Sequence, residues 1–240
     1  MASQVKTVPV TIPSDAARKG APPPALLPYQ QRWIADESPL KIAEKSRRIG
    51  LTWAEAADDV LIAAREEHSS NVFNIGPTQD MALEYIEACA MWARAFDYAA
   101  SEIEEGIFVD GDKEIKTYKI DFPATGRRIV ALSSRPTNLR GKQGVIVIDE
   151  AAFHNDLAAL LKAAMAMLMW GDKVRIISTH DGQDNAFNEL IQEVRAGKRK
   201  GSVHRITFRE AVEQGLYQRV CLRRGIEWTA EGEAQWVADA

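Results

Sequence analysis

The 240-residue chain carries 34 acidic residues against 30 basic ones, a formal charge of −4, and 46% of its residues are hydrophobic. That length buries one sizeable α/β core with room for a small appendage, and the acidic balance excludes a globally basic nucleic-acid binder, so any DNA contact must be local. Two cysteines, Cys89 and Cys221, make no disulfide framework and point to a reducing compartment; there is no N-terminal signal pattern, and no apolar run approaches the length that spans a bilayer.

Residues 1–26, with Pro9, Pro13, Pro22, Pro23 and Pro24 among small and polar residues, have no hydrophobic period and read as a flexible arm. Leu27 to Ile34 starts a short helix that places Trp33 in the core. The apolar run Leu40 to Ala43, the loop Glu44-Lys45-Ser46-Arg47-Arg48-Ile49-Gly50 and the Ala-rich segment from Thr52 to Glu66 then predict strand, loop and helix. A phosphate-binding loop reads G-x-x-x-x-G-K-[ST], because backbone N–H groups at a helix N-terminus cradle phosphate, a lysine neutralises it and a hydroxyl reaches Mg²⁺. On that template Gly50 and Thr52 fit, Lys45 takes the place of the first glycine and Leu51 that of the lysine. A basic surface turn leading into a helix is the competing reading of these residues. Asn71 to Thr78 is a second strand and Gln79 to Ala100 a long amphipathic helix, a strand-then-helix rhythm that predicts a parallel sheet; Thr78 and Gln79 read either as site residues or as a turn and helix cap.

Ile115 to Ile120 and Arg128 to Leu132 alternate in polarity about Pro123 to Gly126, which predicts an antiparallel hairpin. The polar stretch Ser133 to Gln143, basic through Arg135, Arg140 and Lys142, is either a sensor of nucleotide or DNA phosphate or a solvated connector. Gly144 to Glu150 is a continuous β-branched run ending in two carboxylates. A strand apolar on both faces belongs in a parallel sheet covered by helices. Beside a phosphate loop, Asp149 can hold Mg²⁺ and Glu150 can polarise a water toward a γ-phosphate; the alternative is that the pair caps the following helix. His154 reads as a cap or surface residue, and Met165, Met167 and Met169, in a helix from Leu157 to Trp170, as core filling. Lys173 to His180 is a further buried strand ending in hydroxyls, Ser178 and Thr179. Arg195, Lys198, Arg199, Lys200 and Arg205 form the densest basic run, either phosphate-binding or a solvated end. Phe208 to Ala240 reads as two or three short helices, the last capped by Thr229. The fold class expected is α/β: a P-loop NTPase of RecA/ASCE-like type, with a mostly parallel central sheet flanked by helices and a small antiparallel hairpin.

The run Lys45 to Trp53, with Asn138-Leu139-Arg140-Gly141 shortly before Val145 to Ala151, resembles the ATPase half of the large terminase subunit of tailed bacteriophages, in its phage Mu-like branch. The resemblance extends from about Leu27 to about Thr207. Many terminases carry a deviant loop with its lysine at the start, and Lys45 matches that variant. The resemblance implies ATP and Mg²⁺ as cofactors. Lys45, Ser46, Ile49, Gly50, Leu51 and Thr52 would bind the nucleotide, with Gln30 at the adenine edge and Thr52 and Asp149 at the metal. Glu150 would activate water, Arg47 or Arg48 would stabilise transferring charge, and Ser178 and Thr179 would couple hydrolysis to movement.

It further implies a motor that drives double-stranded DNA into a procapsid in the host bacterial cytoplasm, with portal protein, a small terminase subunit and a homo-oligomeric ring as partners and no membrane. Complete large terminases continue into a nuclease domain, so the expected organisation is an arm over 1–26, an ATPase core over 27–207 and a helical segment over 208–240 leading toward a nuclease domain absent here; no nuclease activity is expected. Two other classes share these motifs: a helicase-like DNA-remodelling ATPase, and a catalytically inactive DNA- or portal-binding adaptor.

Overall fold

The β-branched segments lie side by side in the computed structural model, which describes residues 25–98, 100–110, 113–133, 139 and 142–240. Strands β1 (Leu40–Lys45), β2 (Val72–Gly76), β3 (Glu104–Asp110), β4 (Lys113–Phe122), β5 (Arg127–Ser133), β6 (Val145–Asp149), β7 (Val174–Ser178) and β8 (Ser202–Ile206) form one sheet in the order β3-β4-β5-β2-β6-β7-β1-β8. Only β4 runs against its neighbours; the pairs β5–β2, β2–β6, β6–β7, β7–β1 and β1–β8 are all parallel. The hairpin expected around Pro123 to Gly126 is β4–β5. It is not a separate feature, because β5 pairs with β2 and continues the main sheet, and β3 adds a further strand outside it. The expected flexible arm, apart from Ala25 and Leu26, and the loop arginines Arg135 and Arg140 lie outside the described residues.

Helices α1 (Pro28–Ala35), α2 (Leu51–Ala64), α3 (Gln79–Ala95), α4 (Leu157–Leu168) and α5 (Ala186–Arg195) surround the sheet. α2 packs on α3, and the two cover β2 and β5; α4 packs on α5, with α4 against β7 and α5 against β8. The even-numbered positions Ile42, Ile146, Ile148, Val174 and Ile176 join Leu160, Leu161, Phe187 and Ile191 in a core under α4 and α5. Side chains alternate across a strand, so the odd-numbered positions Lys41 and Arg175 face the other way and meet Asp58 and Glu55 of α2. Alanines at 54, 56, 57 and 63, all buried, let α2 approach closely. Trp33 is fully buried, as its spacing predicts. Met165 and Met167 pack against the core, but Met169 is 86% and Trp170 82% exposed. The core reading fails at Met169 because the helix has ended at Leu168 and the chain turns away through Gly171, at φ 87°.

Side-chain caps fix three helix starts in this part of the chain: Thr78, Asp156 and Asn185 accept from the backbone N–H groups of Met81, Ala159 and Asn188. α2 is the exception. Its N-cap is Gly50, which brings no side-chain acceptor.

Chain contacts divide the described residues into two compact units, Tyr29–Phe208 and a second formed by Arg209–Ala240 with residues 25–28. In the second, α6 (Phe208–Glu213), α7 (Leu216–Arg224) and α8 (Ala230–Ala238) follow one another, Tyr217 meets Trp236 ring to ring, and Thr229 caps α8 through Gly232 N–H. No helix among the described residues is long and apolar enough to cross a membrane.

Candidate active site

The C-terminal ends of β1, β6 and β7 lie together in the sheet, and their loops carry the chemistry. Lys45 is the last residue of β1 rather than part of the loop. The chain then turns through Arg48, at φ 55°, and Gly50, at φ 72°, into α2. Two residues of α1 hold this loop from behind: Tyr29 Oη donates to Ile49 O, and Gln30 Nε2 donates to Gly50 O at 2.8 Å. With no side-chain cap at Gly50, the first-turn N–H groups of α2 and its dipole are left for an anion.

Across from the loop, Thr52 Oγ1 donates to Asp149 Oδ1 at 3.1 Å, and Lys45 Nζ donates to Glu150 Oε1 at 2.6 Å. Glu150 sits in the left-handed region, φ 44° and ψ 51°, an unfavourable conformation for a residue with a Cβ. Its other oxygen accepts from Thr179 N–H at 3.3 Å. Ser178 Oγ accepts from Ala152 N–H and donates to Thr179 O, tying the end of β7 to the turn after Glu150. Thr179 Oγ1 is buried and has no hydrogen-bond partner among the described residues.

These residues border a cleft of about 830 Å³. Burial and the neighbouring Glu150 carboxylate push Asp149 up to about 7, against the opposing pull of Lys45 and the Thr52 hydroxyl. A divalent cation would relieve that repulsion. Thr52 and Asp149 provide two adjoining oxygen ligands, a fit for Mg²⁺, which takes one or two protein oxygens and completes its shell with phosphate and water. Among the described residues no group of three or more His, Cys, Asp and Glu could hold a metal ion.

Of the sequence-predicted residues, Lys45, Arg47, Arg48, Ile49, Gly50, Leu51, Thr52, Asp149, Glu150 and Thr179 line the cleft. Gln30, Ser46 and Ser178 do not. Gln30 is buried beneath the loop, so the structure shows it bonded to the loop's own backbone rather than open to an adenine edge. Ser46 N–H is engaged by Ile206 O of β8. Arg47 and Arg48 are both exposed, and neither pairs with Glu44, which is held by Arg195 and His180 instead. His154 is no surface residue: it is buried, with Nε2 2.8 Å from Asp149 O, and burial lowers its basicity. Sequence reasoning missed the far wall of the cleft, lined by Trp53 of α2 and by Met81, Glu84 and Tyr85 of α3; no local pattern marks residues that only helix packing brings together.

A strand leading through a tight loop into an uncapped helix, one strand removed from a strand ending in Asp-Glu, defines a P-loop NTPase domain of the RecA/ASCE-like kind. The family model for the terminase large subunit, T4-like virus type, N-terminal region, matches residues 42–220. The chain is 58% identical over 236 residues to Mu-like prophage FluMu protein gp28 of Haemophilus influenzae, covering 98% of this chain and 45% of that protein. It is 56% identical over 218 residues to the probable terminase large subunit gp28 of Escherichia phage Mu, covering 89% of this chain and 40% of that protein. In fold it is similar to the large terminase of a thermophilic bacteriophage in complex with ADP, with a TM-score of 0.60 at 15% identity over 81% of this chain and 49% of that one. The chain belongs to the terminase large subunit family, and it spans less than half the length of the curated relatives it matches.

Proposed function

We propose that the chain is the ATP-hydrolysing motor domain of a DNA-packaging terminase. The observation that carries this reading is the double pairing at the head of an uncapped helix, Lys45 with Glu150 and Thr52 with Asp149. Lys45 precedes the loop instead of ending it, yet its ammonium reaches the Glu150 carboxylate just after β6, and from there it would neutralise phosphate charge. The N–H groups from Arg47 to Leu51 would cradle phosphate, Ser46 being committed to β8. Thr52 and Asp149 would hold Mg²⁺, which when bound neutralises charge on the β- and γ-phosphates.

Glu150 would orient the attacking water and accept its proton, ADP and phosphate being the products. In the resting arrangement this carboxylate is occupied by Lys45. A triphosphate competes for that ammonium, and drawing Lys45 away frees Glu150 to act as base. Hydrolysis is thereby tied to occupancy of the loop. Arg47 or Arg48, both exposed on the loop, would stabilise the transferring charge. Thr179, whose hydroxyl has no hydrogen-bond partner among the described residues, would meet the γ-phosphate or the water, and Ser178 would transmit movement through its bonds to Ala152 and Thr179. Gln30 enters as a support of the loop.

The work proposed is translocation of double-stranded DNA into a procapsid in the bacterial cytoplasm, in a ring of copies assembled with portal protein and a small terminase subunit. Turnover of ATP with Mg²⁺, with and without duplex DNA, tests the reading beside Lys45→Ala and Glu150→Gln. Both variants should lose turnover, Glu150→Gln while still binding nucleotide. Unaffected turnover in Lys45→Ala would remove the displaced lysine from the site; no turnover in any form, even concentrated with DNA, would favour the inactive adaptor.

A further inference from the structure

The densest basic run of the sequence is divided by the fold. Arg199 pairs with Glu193 on its own helix side, whereas Arg195 and Arg205 converge on a different residue, Glu44. Glu44 directly precedes Lys45 in β1 and therefore faces away from the active site, toward α5 and β8. There it borders a second cavity, of about 730 Å³, of which it is the only carboxylate among the described lining residues.

Arg195 of α5 donates to Glu44 Oε1, Arg205 Nε of β8 lies 3.9 Å from the same oxygen, and His180 Nε2, from the loop after β7, lies 2.9 Å from Oε2. Two guanidiniums against one carboxylate leave an excess positive charge even when His180 is neutral. The side chains of Arg205, at 71% exposure, and of Arg195 and His180, at 42%, are open to a ligand, while Glu44 at 7% is not. A guanidinium carries five N–H donors, so one buried carboxylate cannot saturate two of them. The arrangement repels cations and presents planar donor pairs, the geometry that phosphate oxygens match. Gln183 and Asn188, also on the wall, add amide groups.

We propose that this cavity is a second phosphate-binding site, distinct from the nucleotide cleft, which receives a phosphate group of a nucleic-acid backbone. Lys45 borders both cavities, so a phosphate seated here lies on the reverse side of the strand that carries the catalytic lysine. Inorganic phosphate has the same chemistry, and the test separates the two sources.

Binding of a short fluorescein-labelled DNA duplex by anisotropy across a salt series, and binding of inorganic phosphate by calorimetry, would be compared in the unaltered chain, in Arg205→Glu and in Arg195→Gln. The glutamine retains a donor toward Glu44, and Arg205 is exposed enough to be reversed without unfolding; thermal melting and binding of a fluorescent ADP analogue check that fold and cleft are intact. The result expected is a loss of duplex affinity of about tenfold in Arg205→Glu with a salt slope shallower by about 1, and a smaller loss in Arg195→Gln. Loss of inorganic phosphate binding alone, with duplex affinity unchanged, would keep the site but assign it to free phosphate. Unchanged binding of both probes in two folded variants would overturn it.

Discussion

Helix α2 serves two charged clusters whose contrast explains much of this domain. At its first turn, Thr52 joins Lys45, Asp149 and Glu150 around an open cleft. One turn further on, Glu55, Asp58 and Asp59 are buried against Arg175 and Lys41, with Arg175 Nη1 2.8 Å from Glu55, 2.9 Å from Asp58 and 3.1 Å from Asp59. Trp33 Nε1 donates to Glu55, and Tyr85 Oη donates to Asp59 at 2.6 Å. In the closed cluster every ion faces an opposite one. Three carboxylates meet two cations, and burial together with Glu55 drives Asp59 well above the usual carboxylate range, so retaining a proton there balances the count. The open cluster is not balanced internally. Asp149 is pushed up by burial and Glu150, and Thr179 Oγ1 has no partner among the described residues. The closed cluster is balanced in charge within the fold, although Asp58 Oδ2 and Arg175 Nε make no hydrogen bond among the described residues; the open cluster is left in like-charge repulsion that a ligand entering the cleft would relieve.

Exchanging the roles of the two clusters should therefore fail in opposite ways. The largest effect falls on chemistry: Lys45→Ala should reduce steady-state ATP turnover by about 10³-fold, a loss typical of removing preorganised charge stabilisation. Next, Arg175→Met should leave three acids without their central cation and cost about 3–5 kcal/mol by denaturant unfolding. If that variant instead lowered turnover while stability held, the closed cluster would be part of the active site.

A smaller effect, opposite in sign, is expected at Asp149. Its pKa of about 7 lies above the ordinary 3.8, so the folded state binds the proton more tightly than the unfolded state, and ionisation erodes stability as pH rises through that window. In metal-free buffer, Asp149→Asn should raise stability by an amount on the order of 1–3 kcal/mol above pH 7 and by almost nothing below pH 4, each unit of raised pKa being about 1.4 kcal/mol. The same variant should lose Mg²⁺-dependent turnover. A flat pH profile of the stability difference would refute the raised pKa of Asp149.

The smallest effect is Gly50→Ala. At φ 72°, with an added Cβ 3.2 Å from Gln30 Nε2, the backbone is strained and the loop's support displaced. A loss of about 1 kcal/mol in thermal unfolding is expected, with weaker binding of a fluorescent nucleotide.

Much of this was legible along the chain. A run such as Val145 to Ile148 states a parallel sheet, because a strand buried on both faces is mostly apolar on both. The loop before Thr52 and the Asp149-Glu150 pair are local patterns, and they mark the cleft. Other features had no local signature. Nothing local in the alanine-rich segment marks Glu55, Asp58 and Asp59 for burial, and nothing in the strand from Lys173 to His180 says which groups Arg175 meets, until α2 is laid on β1 and β7. The resemblance implies an adenine-edge role for Gln30, but its hydrogen bond to Gly50 O depends on how α1 packs behind the loop. Arg195 and Arg205 read as one basic run, although only the adjacency of α5, β8 and β1 brings them to Glu44. Sequence by itself determines hydrophobic period, turn chemistry and the order of motifs, since these depend on neighbours in the chain. Which charge meets which is decided by tertiary structure alone, because Coulomb interaction and desolvation depend on distances and burial that separate strands acquire only when they pack.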